Sequence, residues 1–459
     1  MNRRDMIMAL GAGALLPFPA VAATADEPRL RAWLDRWLQA FNDPDLRVYK
    51  AFVERNAPTV VPYVDDDLSV REVTGGCEVL SVEVGDGAVT ATVRDRAWDR
   101  RSRVVLSAKG ADRLDDIAFL GAPGSDATPQ LDDAALVKAV RAKLAGEGAA
   151  GRFNGAASIT VGGKPLLTAH HGIADETTGA AITPSTRFCI GSMGKLFTAV
   201  AVMQLVEQQR LSLADPLIAH LPDYPNRRLA ETVTIEHLLT HTGGTGDIFG
   251  APYDPAIHRT PSDIVTLYGA REPAFAPGAR WGYSNFGFVL LGAVVERLEG
   301  RAYDAVFANR IFTAAGMTRT SQAFASPHPT ALPYTGAAAT GRRALTPYEG
   351  LPAGGGYSTV EDMQRFVAAL RDVRLLKPRT LEAMLTPRVA AGAGHWGLGV
   401  AIRLRGGLTY WGHGGAAPGV NADLAVYGGG KSVVVLTNRG HPAAAVAGDY
   451  IGLRVTPAA

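Results

Sequence analysis

Ser192 and Lys195 stand three residues apart in Arg187-Phe-Cys-Ile-Gly-Ser-Met-Gly-Lys195, at the head of an apolar run over residues 196–206 that closes with Glu207-Gln208-Gln209-Arg210. A hydroxyl becomes a nucleophile when a base takes its proton. A lysine amine can be that base once burial has removed its charge. Positions i and i+3 share a helical face, so this spacing lets amine and hydroxyl meet. A run of that length without Gly or Pro reads as a buried helix, with Ser192 in its first turn. Free backbone N–H groups and the positive dipole end there suit an attacking oxygen and the oxyanion that it creates. Cys189 lies nearby, but it sits between Phe188 and Ile190 with no adjacent His, and reads as a buried, inert thiol rather than a second nucleophile.

Two further groups follow in order. Tyr283-Ser284-Asn285 is introduced by Pro277-Gly-Ala-Arg-Trp-Gly282, and His413-Gly414-Gly415 follows Tyr410-Trp411-Gly412 and leads into Ala416. Tyr283 is a second candidate base, because a phenol beside cationic groups has its ionised form favoured. Asn285 can hydrogen-bond both Lys195 and a substrate carbonyl. Read singly, Tyr283 could instead be a core tyrosine and Asn285 a helix cap. His170-His171 are adjacent, so in a strand they face opposite ways and do not suggest one metal. His237 and His241 have a zinc-ligand spacing, but the metalloprotease acid between them is missing and a structural role fits better. No cofactor or metal is called for.

The three ordered groups, with Phe188-Cys-Ile-Gly-Ser192, His237-Leu-Leu-Thr-His-Thr-Gly243 and Pro352-Ala-Gly-Gly-Gly-Tyr-Ser-Thr359, resemble the serine β-lactamase and penicillin-binding-protein-like hydrolases. The branch is the one with Tyr in the second motif: class C β-lactamases, D-alanyl-D-alanine carboxypeptidases, D-aminopeptidases and related esterases. The resemblance spans residues 130–459. It implies an acyl-enzyme on Ser192, water activation by Tyr283, and an oxyanion hole formed by the backbone N–H groups of Ser192 and Ala416 beside Gly415. The chain departs from the penicillin-reacting pattern at His413-Gly414-Gly415, where Lys-Thr-Gly or Lys-Ser-Gly is usual. The hydroxyl is gone and the fixed cation is replaced by a group that titrates near neutrality. A charge-assisted hydrogen bond contributes about 1.5–3 kcal/mol, so β-lactams are expected to be poor substrates.

Those residues need a scaffold. The chain has 459 residues, enough for two or more domains. Lys+Arg 46 nearly balances Asp+Glu 44 and no basic run stands out, which argues against a nucleic-acid-binding surface. Asn2-Arg3-Arg4 before an apolar core and Ala20-Val21-Ala22 read as an export signal over residues 1–25, of twin-arginine or ordinary type, and imply a periplasmic or secreted protein. No later run is long enough to span a bilayer. Residues 26–122 read as an α+β domain. Leu30, Trp33, Leu34, Trp37, Leu38 and Phe41 repeat at helical spacing, a second helix covers 46–55, and strands cover 78–84, 88–93, 103–108 and 113–120. This part weakly resembles the cone-shaped nuclear transport factor two-like fold, without a sharp motif.

Residues 123–131 read as a linker and 132–459 as the hydrolase-like domain. Its terminal strands (156–161, 165–169, 400–404, 422–427 and 432–436) share one antiparallel sheet, with an all-helical insertion across one face. A helix from Thr234 ends on Gly243-Gly244, and another opens on a Ser358–Glu361 capping box. Cys77 and Cys189 fall in different parts and are not expected to pair. The whole is an α+β protein acting on a small ester, amide or peptide through Ser192, Lys195 and Tyr283. The alternative on the same scaffold is a slowly acylating binding or sensor protein. Oligomeric state is not legible.

Overall fold

The computed structural model describes residues 26–85, 87–108, 110, 112–121, 128–249, 252–336, 342–347 and 349–457. The export signal, Asp86 of the first hairpin turn and most of the expected linker lie outside them.

Helix α1 (Glu27–Asn42) buries Leu30, Trp33, Leu34, Trp37 and Phe41 on one side, as their spacing dictates. Helix α2 (Leu46–Asn56) is capped by Asp45, which accepts from the Arg47 N–H at 3.0 Å. A third helix, α3 (Val64–Thr74), carries Asp65-Asp66-Asp67 in its first turn, where the dipole favours them, and stops at Gly75 with φ +68°. Strands β1 (Cys77–Gly85), β2 (Ala88–Asp95), β3 (Arg101–Ser107) and β4 (Asp116–Gly121) follow as an antiparallel sheet in chain order. The turn between β2 and β3 sends Trp98 away from this sheet's own core. Its ring meets Phe153 and Tyr450 edge-on (centroids 6.1 and 6.2 Å), and its N–H donates to the Val73 carbonyl at 3.0 Å. Arg100 pairs with Asp449 at 2.7 Å alongside.

Helix α4 (Asp133–Ala149) leads into β5 (Gly155–Val161) and β6 (Lys164–His171). The helical stretch includes α5 (Lys195–Glu207), α6 (Ile235–Leu239), α7 (Asn285–Glu299) and α8 (Val360–Arg371). Six strands then return: β7 (Val389–Ala391), β8 (Gly394–Trp396), β9 (Ala401–Arg405), β10 (Leu408–Ala417), β11 (Val420–Tyr427) and β12 (Lys431–Thr437), before α9 (Ala443–Gly452). They form one eight-stranded antiparallel sheet, β7-β8-β9-β10-β11-β12-β5-β6, in which β12 closes on β5 with Val434 opposite Ser158. Alternation along β12 sets the two layers. Val433 and Val435 face a core with α4 and α9, whereas Val434 and Leu436 face the larger core around α5.

Three local expectations are corrected. Ser192 lies in a single 3₁₀ turn, Gly191–Gly194, and α5 begins only at Lys195. Helix α6 ends at Leu239, because His241 takes φ +57°, so the paired glycines are in the following loop. Helix α8 is capped one residue later than the Ser358–Glu361 spacing suggests: Thr359 accepts from the Asp362 N–H at 3.1 Å.

Candidate active site

The 3₁₀ turn and α5 bring Ser192 and Lys195 together. Lys195 Nζ is 3.3 Å from Ser192 Oγ and 2.6 Å from Asn285 Oδ1, and it also donates to the Ala353 carbonyl. Ser192 keeps 9% exposure while Lys195 has none, so of the two only the serine reaches solvent. Asn285 and Ala353 present oxygens that only accept. The Asn285 amide cannot be turned round, because its Nδ2 donates to Asp247 Oδ1 at 2.9 Å. An uncharged amine here directs its two hydrogens at those acceptors, which leaves its lone pair for the serine hydroxyl. Burial pulls the Lys195 pKa down from 10.5 to about 7, with Asp247 pushing the other way.

The Tyr283-Ser284-Asn285 segment divides its labour. Ser284, not Asn285, caps α7: its Oγ accepts from the Gly287 N–H at 2.9 Å and bonds Thr245 Oγ1 at 2.7 Å. That leaves Asn285 free for Lys195 and sends Tyr283 to the opposite side of the turn. The Tyr283 hydroxyl hydrogen-bonds the Ser192 side chain, but burial outweighs that pull and pushes the phenol up. The expected easy ionisation is therefore corrected. Lys195 Nζ stands 4.9 Å from the ring centroid, over the π face, and Tyr283 rests protonated. His241, reached from the loop after α6, supports the ring at 4.3 Å between centroids, and its Nδ1 accepts from the Ser284 N–H at 3.1 Å.

The third motif lies on β10. Its pairing with β9 stops at Ala401–Gly412, whereas its pairing with β11 runs on to Ala417–Val420. Beyond Gly412 the chain entering Ser192 packs closely over the face of this strand. A Cβ on Gly415 would stand 2.1 Å from the Ile190 carbonyl oxygen, and one on Gly191 would be 3.1 Å from the Ala416 nitrogen. Both glycines are required by that approach. His413 does not titrate near neutrality as expected: burial, then Lys195, holds it at about 3. Its Nδ1 donates to the Gly414 carbonyl at 2.5 Å, and its ring packs edge-on against Trp396 at 5.4 Å. It is a neutral, buried imidazole.

Other histidines and cysteines lie apart from this centre. His170 pairs with Glu361 at 3.3 Å. His237 accepts the Thr234 N–H at the start of α6 (3.2 Å). Both cysteines are free and buried, with thiols pushed up to about 12 by desolvation. Among the described residues no cluster of three or more His, Cys, Asp or Glu could hold a metal, and no helix is long and apolar enough to cross a membrane. Asp247, Ala353, His241 and Trp396 complete the centre and were not picked out from the sequence as chemistry. Only the Thr240-His241-Thr242-Gly243 and Ala353-Gly354-Gly355-Gly356 stretches hinted at them.

The chain is similar to known proteins in sequence and in fold. The beta-lactamase family model matches residues 136–456. Penicillin-binding protein 4 of Amycolatopsis lactamdurans is 30% identical over 295 residues, 59% of this chain and 76% of that protein. Esterase EstB of Burkholderia gladioli is 33% identical over 200 residues, 40% of this chain and half of the esterase. The D-amino acid amidase of Ochrobactrum anthropi SV3, solved with D-phenylalanine, superposes with a TM-score of 0.60 at 25% identity, covering 69% of this chain and 98% of the amidase.

Proposed function

Since the chain belongs to the beta-lactamase family, we propose that it is a serine hydrolase that cleaves small, uncharged esters and amides through an acyl-enzyme on Ser192. One observation carries the reading: the buried Lys195 Nζ lies 3.3 Å from Ser192 Oγ, where burial pulls its pKa down to about 7. Lys195 takes the proton as Ser192 Oγ attacks the carbonyl carbon. The backbone N–H groups of Ser192 and Ala416 receive the developing oxyanion. Tyr283, protonated at rest, hands its proton to the leaving oxygen or nitrogen and regains one from the Lys195 ammonium. Deacylation reverses the relay: Tyr283 accepts a proton from water while passing its own to Lys195, the hydroxide attacks the acyl carbon, and the Lys195 ammonium returns its proton to Ser192 Oγ as the acid leaves. The esterase and amidase among the similar proteins agree with this chemistry.

The substrate class follows from the third motif. A neutral His413 followed by Gly414 supplies neither a cation nor a hydroxyl for a carboxylate beside the scissile bond. Uncharged acyl groups are favoured over β-lactams and peptide C-termini. We further assign residues 1–25 to export, to be tested by N-terminal sequencing of the protein from fractionated cells; an uncleaved cytosolic chain overturns that assignment. The principal test is hydrolysis of p-nitrophenyl acetate, D-alanine amide and a chromogenic cephalosporin by wild type and Ser192→Ala, with intact-mass analysis. Turnover of ester and amide with little of the cephalosporin, and no turnover or fluorophosphonate label in the variant, is expected. Full labelling of Ser192→Ala would remove the nucleophile assignment. A long-lived adduct without turnover would make the protein a sensor.

A further inference from the structure

We propose that Asn421 is a positioning residue for the oxyanion hole, acting through the peptide unit that joins Gly415 to Ala416. This rests on the acyl-enzyme reading above. Asn421 is buried on β11, opposite Ala416. Its Nδ2 donates to the Gly415 carbonyl at 2.9 Å. Its Oδ1 accepts from the Ala444 and Ala445 N–H groups at 2.7 and 3.0 Å, and its own carbonyl accepts from Thr437 Oγ1 at 3.1 Å. Helix α9 has no cap from its preceding residue, Pro442, so the Asn421 amide caps it from a distance and is locked by doing so.

The Gly415 carbonyl and the Ala416 N–H belong to one planar trans unit, in which they point in opposite directions. Holding the carbonyl on the β11 side aims the N–H at the opposite edge. That is the edge β9 leaves uncovered beyond Gly412. The donation from Nδ2 also polarises the peptide, which strengthens the N–H as a donor. Nothing else about Asn421 requires an amide: a carboxylate would cap α9 equally well. Only the Gly415 carbonyl needs its N–H.

Asn421→Asp separates the two roles, because it keeps the acceptor for α9 and sets an acceptor against the Gly415 carbonyl. The readout is kcat for p-nitrophenyl benzoate and for its thiono analogue, whose sulfur is a weaker hydrogen-bond acceptor. The expected result is a roughly 10- to 100-fold loss of kcat on the oxygen ester, a much smaller loss on the thiono ester, an unchanged KM and a Tm lowered by the buried carboxylate facing the Gly415 carbonyl. Equal losses on both esters, or none, overturn the proposal. If the Asp variant does not fold, Asn421→Ala removes the donor, and the same shrinkage of the oxygen-over-sulfur preference is expected of it. Ser192→Ala run in parallel keeps the premises apart. If it still turns over, the acyl-enzyme reading fails and this inference with it; if it is dead while Asn421→Asp behaves as wild type, only this inference fails.

Discussion

Lys195 and Lys431 are both buried, and their surroundings make them different chemical groups. Lys431 opens β12 with Nζ 2.8 Å from Asp133 Oδ1 and 2.7 Å from Thr456 Oγ1, an ion pair at the end of the sheet. Lys195 has no carboxylate in direct contact. Its partners are an amide oxygen, a peptide carbonyl and a hydroxyl, and the one acid that acts on it, Asp247, stands behind Asn285. A directly bonded carboxylate holds a lysine charged; neutral acceptors leave it able to give up its proton. On the proposed reading, burial alone does not make a base. What matters is which oxygen the amine meets once water has gone.

Moving a carboxylate into contact with Lys195 should erase the difference, and it is the largest effect expected. Asn285→Asp places an acid where an amide oxygen lies 2.6 Å from Nζ. Because the amine acts in its neutral form, wild-type acylation should rise as pH climbs through about 7 and fall about tenfold per unit below it. In the variant that limb should move upward by one unit or more, which costs roughly 10- to 100-fold at pH 7 and is recovered at high pH. A pH–rate profile in which the limb stays near 7 would show that the carboxylate is not what separates the two lysines. The next largest effect comes from adding a cation. His413→Lys should raise acylation by the chromogenic cephalosporin roughly tenfold and push the ester limb below pH 7, since His413 and Lys195 already act on one another. Stopped-flow acylation at several pH values checks both shifts. The smallest effect belongs to the reference lysine. Lys431→Met should leave ester hydrolysis unchanged within about twofold and alter unfolding free energy by no more than about 1 kcal/mol, because its half-exposed partner Asp133 is screened by solvent. A loss of catalysis there would mean that the sheet end and the site are coupled.

The centre's first members were legible because their signals are local. The three-residue step from Ser192 to Lys195 survives although it spans a 3₁₀ turn rather than α-helix, and Asn285 lies at the head of a helix whose apolar run was plain. What escaped was long-range or electrostatic. Asp247 and Ala353 come from loops, and nothing in a loop's composition says that its carbonyl will meet a lysine. Strand β10 is missing from the strands read in the sequence, because Gly412, Gly414 and Gly415 hide any alternation. His413 was read as titrating near neutrality and Tyr283 as easily ionised, because the sequence shows residue type but not desolvation. In the first hundred residues the tryptophans read as filler for one core. Trp33 and Trp37 are that, but Trp98 reaches into the neighbouring core instead.

That tryptophan has a practical bearing on how the protein can be cut. A fragment starting near residue 130 would leave Phe153 and Tyr450 lining an unfilled aromatic socket, and would take Arg100 from Asp449, leaving it paired with Arg405. Assays of such a fragment would report on a weakened sheet face as well as on chemistry, so kinetic work should begin with the chain from residue 26 onward.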